Sequence, residues 1–235
     1  MSARPVVSVI IPTLNEAAVI VPLLQGLQPW RARGVEIIVV DGGSSDATMA
    51  LASPLADLCV ACAAGRARQQ NFAAAMASGE LLWFVHADTV LQGTEPARLL
   101  ALATDPAPLW GRFDVQLVPA DWRLRCVATL MNLRSRLTGI ATGDQCLFVS
   151  SALFRQVGGF PDQPLMEDVE LSRRLRRRHW PRCLRGPVQA SSRRWQRDGV
   201  WTTVWLMWSL RWRYFFGADP AALHRLYYRR GPGHD

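Results

Sequence analysis

The chain has no lysine: all 27 of its non-histidine basic residues are arginine. That absence removes the lysine-bearing phosphate loop G-x-x-x-x-G-K-S/T, and with it the P-loop NTPases. The glycine fingerprint G-x-G-x-x-G is also missing after the first predicted strand, which argues against NAD(P) dehydrogenases. No apolar run reaches the roughly 20 residues that a membrane-spanning helix needs. The N-terminal run Val6 to Ile11 is too short for the apolar part of a signal peptide, and Pro12 ends it. Cysteine is scarce and odd in number: Cys59, Cys62, Cys126, Cys146 and Cys183. That count excludes a disulfide framework and points to a reducing cytoplasm. Cys59-x-x-Cys62 lacks the second pair of a zinc site, so both read as ordinary thiols flanking a strand.

What is present is a folded chain. At 235 residues, 49% hydrophobic and 20% charged, it is long enough for one domain with a substantial core and too apolar to be disordered. The net charge is +8. No nucleic-acid module or aromatic stacking motif accompanies the arginines, so a nucleic-acid partner is not expected.

Val6 to Ile11 is a β-branched run of strand length. Asn15-Glu16 opens a predicted helix bearing Val19, Ile20, Leu23, Leu24 and Leu27, with Pro22 in its first turns. Glu36 to Val40 is a second buried strand. A short helix near Ala47–Ala52 leads to a strand at Leu58–Val60. A helix from about Arg66 to Ser78 stops at Gly79, and Leu81 to Val85 is a fourth strand. Strand and helix alternating at this spacing give βαβ units and a parallel α/β sheet. Continuous apolar runs mean strands covered on both faces. Beyond Asp88 the pattern changes to a strand (Trp110–Val118), a helix (Trp122–Leu137) and a strand (Cys146–Val149). The expected organisation is a nucleotide-binding half over 1–90, an acceptor half over 91–198 and a helical tail over 199–235.

The polar residues gather where the strands end, the edge at which such sheets bind ligands. Pro12-Thr13-Leu14-Asn15-Glu16 follows the first strand. Asp41-Gly42-Gly43-Ser44-Ser45-Asp46 follows the second, with glycines permitting close approach and Asp41 able to accept from a base or ribose. His86-Ala87-Asp88 follows the fourth. If the strand runs on, His86 and Asp88 point the same way and form a metal or acid–base site; the alternative is a polar strand end. Arg66 and Gln70, four apart at a helix start, suit an anion. Asp144-Gln145 is placed to meet a sugar hydroxyl or leaving group. Glu167 and Asp168 start a helix whose dipole stabilises carboxylates, and a carboxylate in a cleft is a natural general base. Arg193-Arg194 is placed to close over a diphosphate.

Together these segments resemble the family 2 glycosyltransferases of the GT-A fold, from Val6 to about Trp195. The resemblance implies a GT-A type, Rossmann-like, mostly parallel sheet with helices on both faces. It implies a nucleotide-sugar donor, with Asp41 at the base and Pro12, Thr13 and Glu16 lining the nucleoside pocket. It implies a divalent metal, Mn²⁺ or Mg²⁺, on Asp88, with His86 standing where the family has an aspartate. It implies inversion at the anomeric carbon with Asp168 as base. His-Ala-Asp, Gly-Asp-Gln and Ser-Arg-Arg-Trp look most like a bacterial branch labelled selenodomain-associated transferase 2. The competing readings are a nucleotidyltransferase, which would want a lysine-rich N-terminal loop, and a non-catalytic nucleotide-sugar-binding protein, which would lose the acidic pair. The acceptor is an unidentified small molecule or lipid-linked hydroxyl. In the tail, Trp201, Trp205, Trp208 and Trp212 lie on one helical stripe, followed by Arg211 and Arg213. That pattern suits peripheral contact with the inner membrane or a packed core helix.

Overall fold

The computed structural model describes residues 6–105 and 107–228. The β-branched run becomes strand β1 (Val7–Thr13), buried along its length except at Pro12. Helix α1 (Ile20–Arg31) returns over one face of the sheet, burying Ile20, Leu23, Leu24 and Leu27. Strand β2 (Val35–Asp41) then pairs parallel to β1, from Val7 opposite Val35 to Thr13 opposite Asp41. Helix α2 (Thr48–Ala52) and a 3₁₀ turn lead to β3 (Leu58–Ala61), parallel to β2. Helix α3 (Arg66–Met76) crosses to β4 (Leu81–Phe84), which pairs parallel to the other side of β1.

The remaining elements are α4 (Glu95–Ala103), β5 (Trp110–Val118), α5 (Trp122–Thr138), β6 (Phe148–Ser150), α6 (Ser151–Gln156), α7 (Glu167–Arg176), β7 (Arg182–Ser191), α8 (Arg193–Asp198), α9 (Val200–Phe215) and α10 (Pro220–Tyr228). Strand β6 is antiparallel to both β4 and β5, and β7 is parallel to β5. One seven-stranded mixed sheet results, ordered β3-β2-β1-β4-β6-β5-β7.

Alternate strand residues feed two cores, as the two-residue period of a strand requires. Val9, Ile11, Ile37 and Val39 pack with Leu24 and Leu27 of α1 and Leu99 of α4. Ile10, Ile38, Val40 and Phe84 pack with Ala73 of α3, Phe154 of α6 and Leu171 and Leu175 of α7. Helices therefore cover both faces, which is why the strands read as unbroken apolar runs.

Four sequence expectations shift. Helix α1 starts at Ile20, not Asn15, because Asn15 takes a left-handed conformation (φ 55°) and spends its side chain on the Ser45 N–H. The sixth strand starts at Phe148 rather than Cys146, which is also left-handed (φ 46°). Strand β4 ends at Phe84, and a turn closed by Thr89 N–H to the His86 carbonyl (3.0 Å) carries His86 and Asp88. The same-side geometry expected for those two residues is therefore lost. The stretch 182–191, to which the sequence reading assigns no element, forms an edge strand, β7.

Two glycines test this packing in opposite directions. A Cβ on Gly111 would lie 2.1 Å from the Arg182 carbonyl oxygen and 2.6 Å from the Phe148 ring. Gly26, inside α1, has open space around it. Chemical denaturation should show Gly111→Ala destabilised by roughly 3 kcal/mol or failing to fold, and Gly26→Ala stabilised by about 0.5–1 kcal/mol.

Candidate active site

The loops after β1 and β2 are stitched together by polar side chains. Asp41 is only 2% exposed. Its Oδ1 accepts from the Thr13 hydroxyl (3.0 Å) and the Ser44 hydroxyl, and its Oδ2 from the Gly43 N–H (2.9 Å) and Ser44 N–H (2.7 Å). Four hydrogen bonds use the carboxylate's full accepting capacity. Burial opposes the charge, but the Ser44, Gly43 and Thr13 donors outweigh it and hold Asp41 below the usual carboxylate range. Asp41 thus braces the loop from within, and the expected contact with a base finds no free lone pair on it. The Asn15 N–H donates to the Ser44 hydroxyl (2.8 Å), the Glu16 N–H to the Thr48 hydroxyl (2.8 Å) and the Ala17 N–H to Asp46 (3.1 Å). Gln69, which the sequence reading passed over beside Gln70, donates from Nε2 to the carbonyls of Thr13 (2.8 Å) and Val40 (2.9 Å). A Cβ on neighbouring Gly42 would meet the Gln69 amide at 3.1 Å, so the amide would have to shift from these carbonyls.

Above this edge Glu16 feels the charge of Asp88. Burial, then the Asp88 charge, raises the Glu16 carboxyl above its ordinary value, while Arg193 and Arg66 pull it down. Asp88, Ala87 and Arg193 also line a cavity of about 360 Å³ between α1, residues 87–91 and the ends of β5 and β7. The cavity wall is largely apolar, with Val19, Leu23, Leu91 and Pro119. Pro12, Thr13 and Asn15 lie outside it, on the open edge of the sheet.

His86 belongs to a different cluster. With Arg66, Gln70, Gly143, Glu167 and Asp168 it encloses a space of about 10 Å³, room for one water at most. His86, Arg66 and Glu167 thus gather behind the Asp168 carboxylate. A Cβ on Gly143 would lie 2.6 Å from the His86 ring, so only glycine lets the imidazole pack there. The Gly143 N–H donates to Asp168 Oδ2 (2.8 Å), and the Val169 N–H to Oδ1 (2.7 Å). Burial, reinforced by the Arg66 charge, holds the His86 imidazole neutral, with a pKa of about 4. Its Nδ1 lies 3.7 Å from Asp144, and its Nε2 is buried without a partner. Glu167 is 4% exposed and lies 3.6 Å from Arg66 Nη1. Burial raises its carboxyl most, with Arg66 opposing and Asp168 adding to the rise. Arg66 therefore faces a carboxylate of its own chain. Gln70 Oε1 is buried and unpartnered.

Gln145 turns inward. It is fully buried, its Oε1 accepting from the Thr142 N–H (3.2 Å) and its Nε2 donating to Asn132 (3.2 Å). The sugar contact expected of it gives way to loop closure, because the 3₁₀ turn Gly143–Gln145 uses it as a cap. Asp144 stays half-exposed beside His86. Arg193 is exposed, and the Arg194 side chain lies outside the described residues. In the tail, Leu206, Met207, Leu210 and Tyr214 of α9 pack with Leu165, Met166 and Val169 at the start of α7. Arg211 is half-buried, whereas Arg213 is exposed. Trp201, Trp205, Trp208 and Trp212 are 61%, 76%, 67% and 68% exposed, so their stripe is not core.

Among the described residues no three His, Cys, Asp or Glu side chains group as a metal cage. The carboxylates of Asp88 and Glu16 still fit Mg²⁺ or Mn²⁺, which take one or two carboxylates and complete their shell with phosphate oxygens and water. Burial raises the Glu16 carboxyl most, and the Asp88 charge adds to the rise, as expected of two carboxylates that share one edge. His86, walled behind Gly143, does not share that position.

A mostly parallel sheet with polar strand exits, helices on both faces and a carboxylate at the head of a later helix is the architecture of the GT-A glycosyltransferases. Solved structures agree on the fold. Staphylococcus aureus TarS (residues 1–349) superposes with a TM-score of 0.65 at 21% identity over 80% of this chain and 60% of that one. The Pyrobaculum calidifontis mannosyltransferase PcManGT, solved with GDP-Man and Mn²⁺, gives 0.63 at 22% identity over 98% of this chain and 66% of that one. Residues 8–152 match glycosyl transferase family 2, and the chain belongs to that family. The uncharacterized glycosyltransferase Rv1514c of Mycobacterium tuberculosis is 32% identical over 177 residues, 68% of this chain. The chain spans 64% of that relative's length.

The Asp41 brace has a measurable signature. Asp41→Asn places an amide against N–H donors and should cost about 1–3 kcal/mol in urea denaturation. Because the folded carboxyl is held below its ordinary value, its stabilisation is complete above that value and is lost as pH falls through the lowered one. Wild type should therefore lose stability on acidification more steeply than Asp41→Asn.

Proposed function

We propose that this chain transfers a sugar from a nucleotide-diphosphate sugar to a hydroxyl of its acceptor, with inversion at the anomeric carbon. The observation that carries the reading is Asp168: each oxygen is fixed by one backbone N–H, and each keeps a lone pair for a proton. The acceptor oxygen bonds to the anomeric carbon as the bond to the diphosphate oxygen breaks on the opposite side. The acceptor proton passes to Asp168. Glu167, Arg66 and His86 hold that carboxylate from below and exclude water. A divalent cation held by Asp88 and Glu16 would neutralise the departing diphosphate, and Arg193 adds positive charge there. The Thr13–Ala17 and Asp41–Thr48 loops form the donor platform. Their fastening makes it preformed, which saves ordering entropy on binding. His-Ala-Asp, Gly-Asp-Gln and Ser-Arg-Arg-Trp support the selenodomain-associated branch. Residues 1–198 act as the catalytic unit, and 199–235 as an appendage that reaches back to α7.

The partners proposed are the nucleotide-sugar donor, a small or lipid-linked acceptor and the cytoplasmic face of an anionic membrane. Among the described residues no helix is long and apolar enough to cross a membrane. The exposed tryptophans of α9, followed by exposed Phe215 and Phe216, match the interfacial preference of that side chain. Arg213 is placed for anionic headgroups.

Calorimetry with UDP and GDP in Mn²⁺ tests the donor half. Asp88→Ala should lose metal-dependent affinity by at least about tenfold, since one of two carboxylates is gone. Asp168→Asn should keep that affinity and lose roughly 10²–10⁴ in transfer; near-normal turnover would remove it as base. In liposome flotation with anionic lipid, wild type should float, and a Trp201, Trp205 and Trp208 to serine variant should stay below while keeping its circular dichroism. A wild-type protein that never floats would end the membrane assignment.

A further inference from the structure

Two buried polar atoms meet no partner among the described residues: Oε1 of Gln70, on helix α3, and Nε2 of His86, in the turn after β4. Gln70 is 3% exposed. A buried acceptor left unanswered costs stability, and here two of them share a place. Gln70 and His86 line the same space of about 10 Å³, together with Arg66, Gly143, Glu167 and Asp168. That volume admits one water.

The two atoms are of one kind. Gln70 Oε1 is a carbonyl oxygen and only accepts. His86 Nδ1 lies 3.7 Å from the Asp144 carboxylate, which draws the single proton of a neutral imidazole onto Nδ1. Nε2 is then a bare lone pair. Two acceptors cannot answer each other. A ligand hydroxyl carries one proton and answers one of them, whereas a water carries two and answers both. Its oxygen still accepts from a donor such as Arg66, which lines the same space.

The imidazole in turn bears on the base. A Cβ on Gly143 would fall 2.6 Å from His86 Nε2 and Cε1, so ring and glycine are packed together. The Gly143 N–H donates to Asp168 Oδ2 (2.8 Å). Whatever fixes Nε2 fixes the ring that Gly143 packs on, and through Gly143 one oxygen of the carboxylate.

We propose that one ordered water joins Gln70 Oε1 to His86 Nε2, which makes Gln70 and His86 positioning residues for Asp168. The proposal rests on the reading of Asp168 as the base. Such a water is a fixed part of the wall, distinct from the bulk water that the wall keeps from the base. Helix α3 then serves both halves of the site through neighbouring residues. Gln69 ties down the exits of β1 and β2, and Gln70 steadies the base.

The probe is the full chain labelled with ¹⁵N and studied by NMR. In wild type, long-range proton–nitrogen correlation should show His86 as the Nδ1–H tautomer with Nε2 accepting a hydrogen bond, and its ring Cε1–H should give a cross-peak to a bound water. Gln70→Met keeps the side chain's length without its oxygen. It should move Nε2 to the position of a bare acceptor, remove the water cross-peak and shift the Gly143 amide signal. Gln70→Glu, which keeps an oxygen there, should retain the cross-peak. An Nε2–H tautomer in wild type, or a hydrogen-bonded Nε2 with no water cross-peak, would overturn the bridge before any variant is made. A Gly143 amide unmoved in a folded Gln70→Met would overturn the positioning role. In calorimetry with Mn²⁺, Gln70→Met should bind UDP or GDP within about twofold of wild type, and a loss of about tenfold or more would make Gln70 a donor contact instead. If neither nucleotide binds wild type, the glycosyl-transfer reading fails while the cross-peak still decides the bridge; if a nucleotide binds and the cross-peak is missing, the bridge alone fails.

Discussion

The exits of β1 and β2 depend on one carboxylate. A parallel strand that ends in a loop leaves backbone N–H groups pointing at solvent or ligand, and Asp41 gathers two of them together with two hydroxyls. The neighbouring loop is then held by Ser44, Ser45, Asp46 and Thr48, each meeting a group of residues 15–17. Gln69 adds a tie from α3 to both strand ends. A buried carboxylate with four donors is far stronger than its parts, because the low-dielectric surroundings strengthen each bond and leave no water to replace a lost one. The shape of the edge is thus set before any ligand arrives.

The second half of the site depends on a missing side chain. Gly143 lets the His86 ring close over it and turns its N–H onto Asp168. Three chain segments meet at that contact: the turn after β4, the 3₁₀ turn before β6 and the head of α7. The Asp168 carboxylate is positioned by backbone donors, and beside it buried Glu167 meets the half-exposed Arg66. Helix α9 completes the arrangement from outside by packing on Met166 and Val169.

The architecture was largely legible in the residues. β1, β2 and β4 are apolar runs covered on both faces, and α3 is bracketed by Gly65 and Gly79. β7 was hidden because it is an edge strand whose arginines sit in water, so it carries no apolar run. Within the site, residue types were easier to read than directions. Asp41 and Gln145 stand in polar motifs, yet both turn inward, and a motif does not say which way its side chain faces. His86 and Asp88 parted because the strand stopped at Phe84, one residue before its apolar run ends, and a turn follows.

The unequal burial of the ten tryptophans shapes how the molecule handles light. Trp83 and Trp110 sit in the core, while Trp122, Trp180 and the four of α9 face outward. In water the folded protein therefore emits mostly from solvated indoles, at wavelengths close to those of an unfolded chain. Its spectrum reports mainly on what covers α9, and the sheet's own melting is carried by Trp83 and Trp110, with partly buried Trp30 and Trp195 packed against the cores.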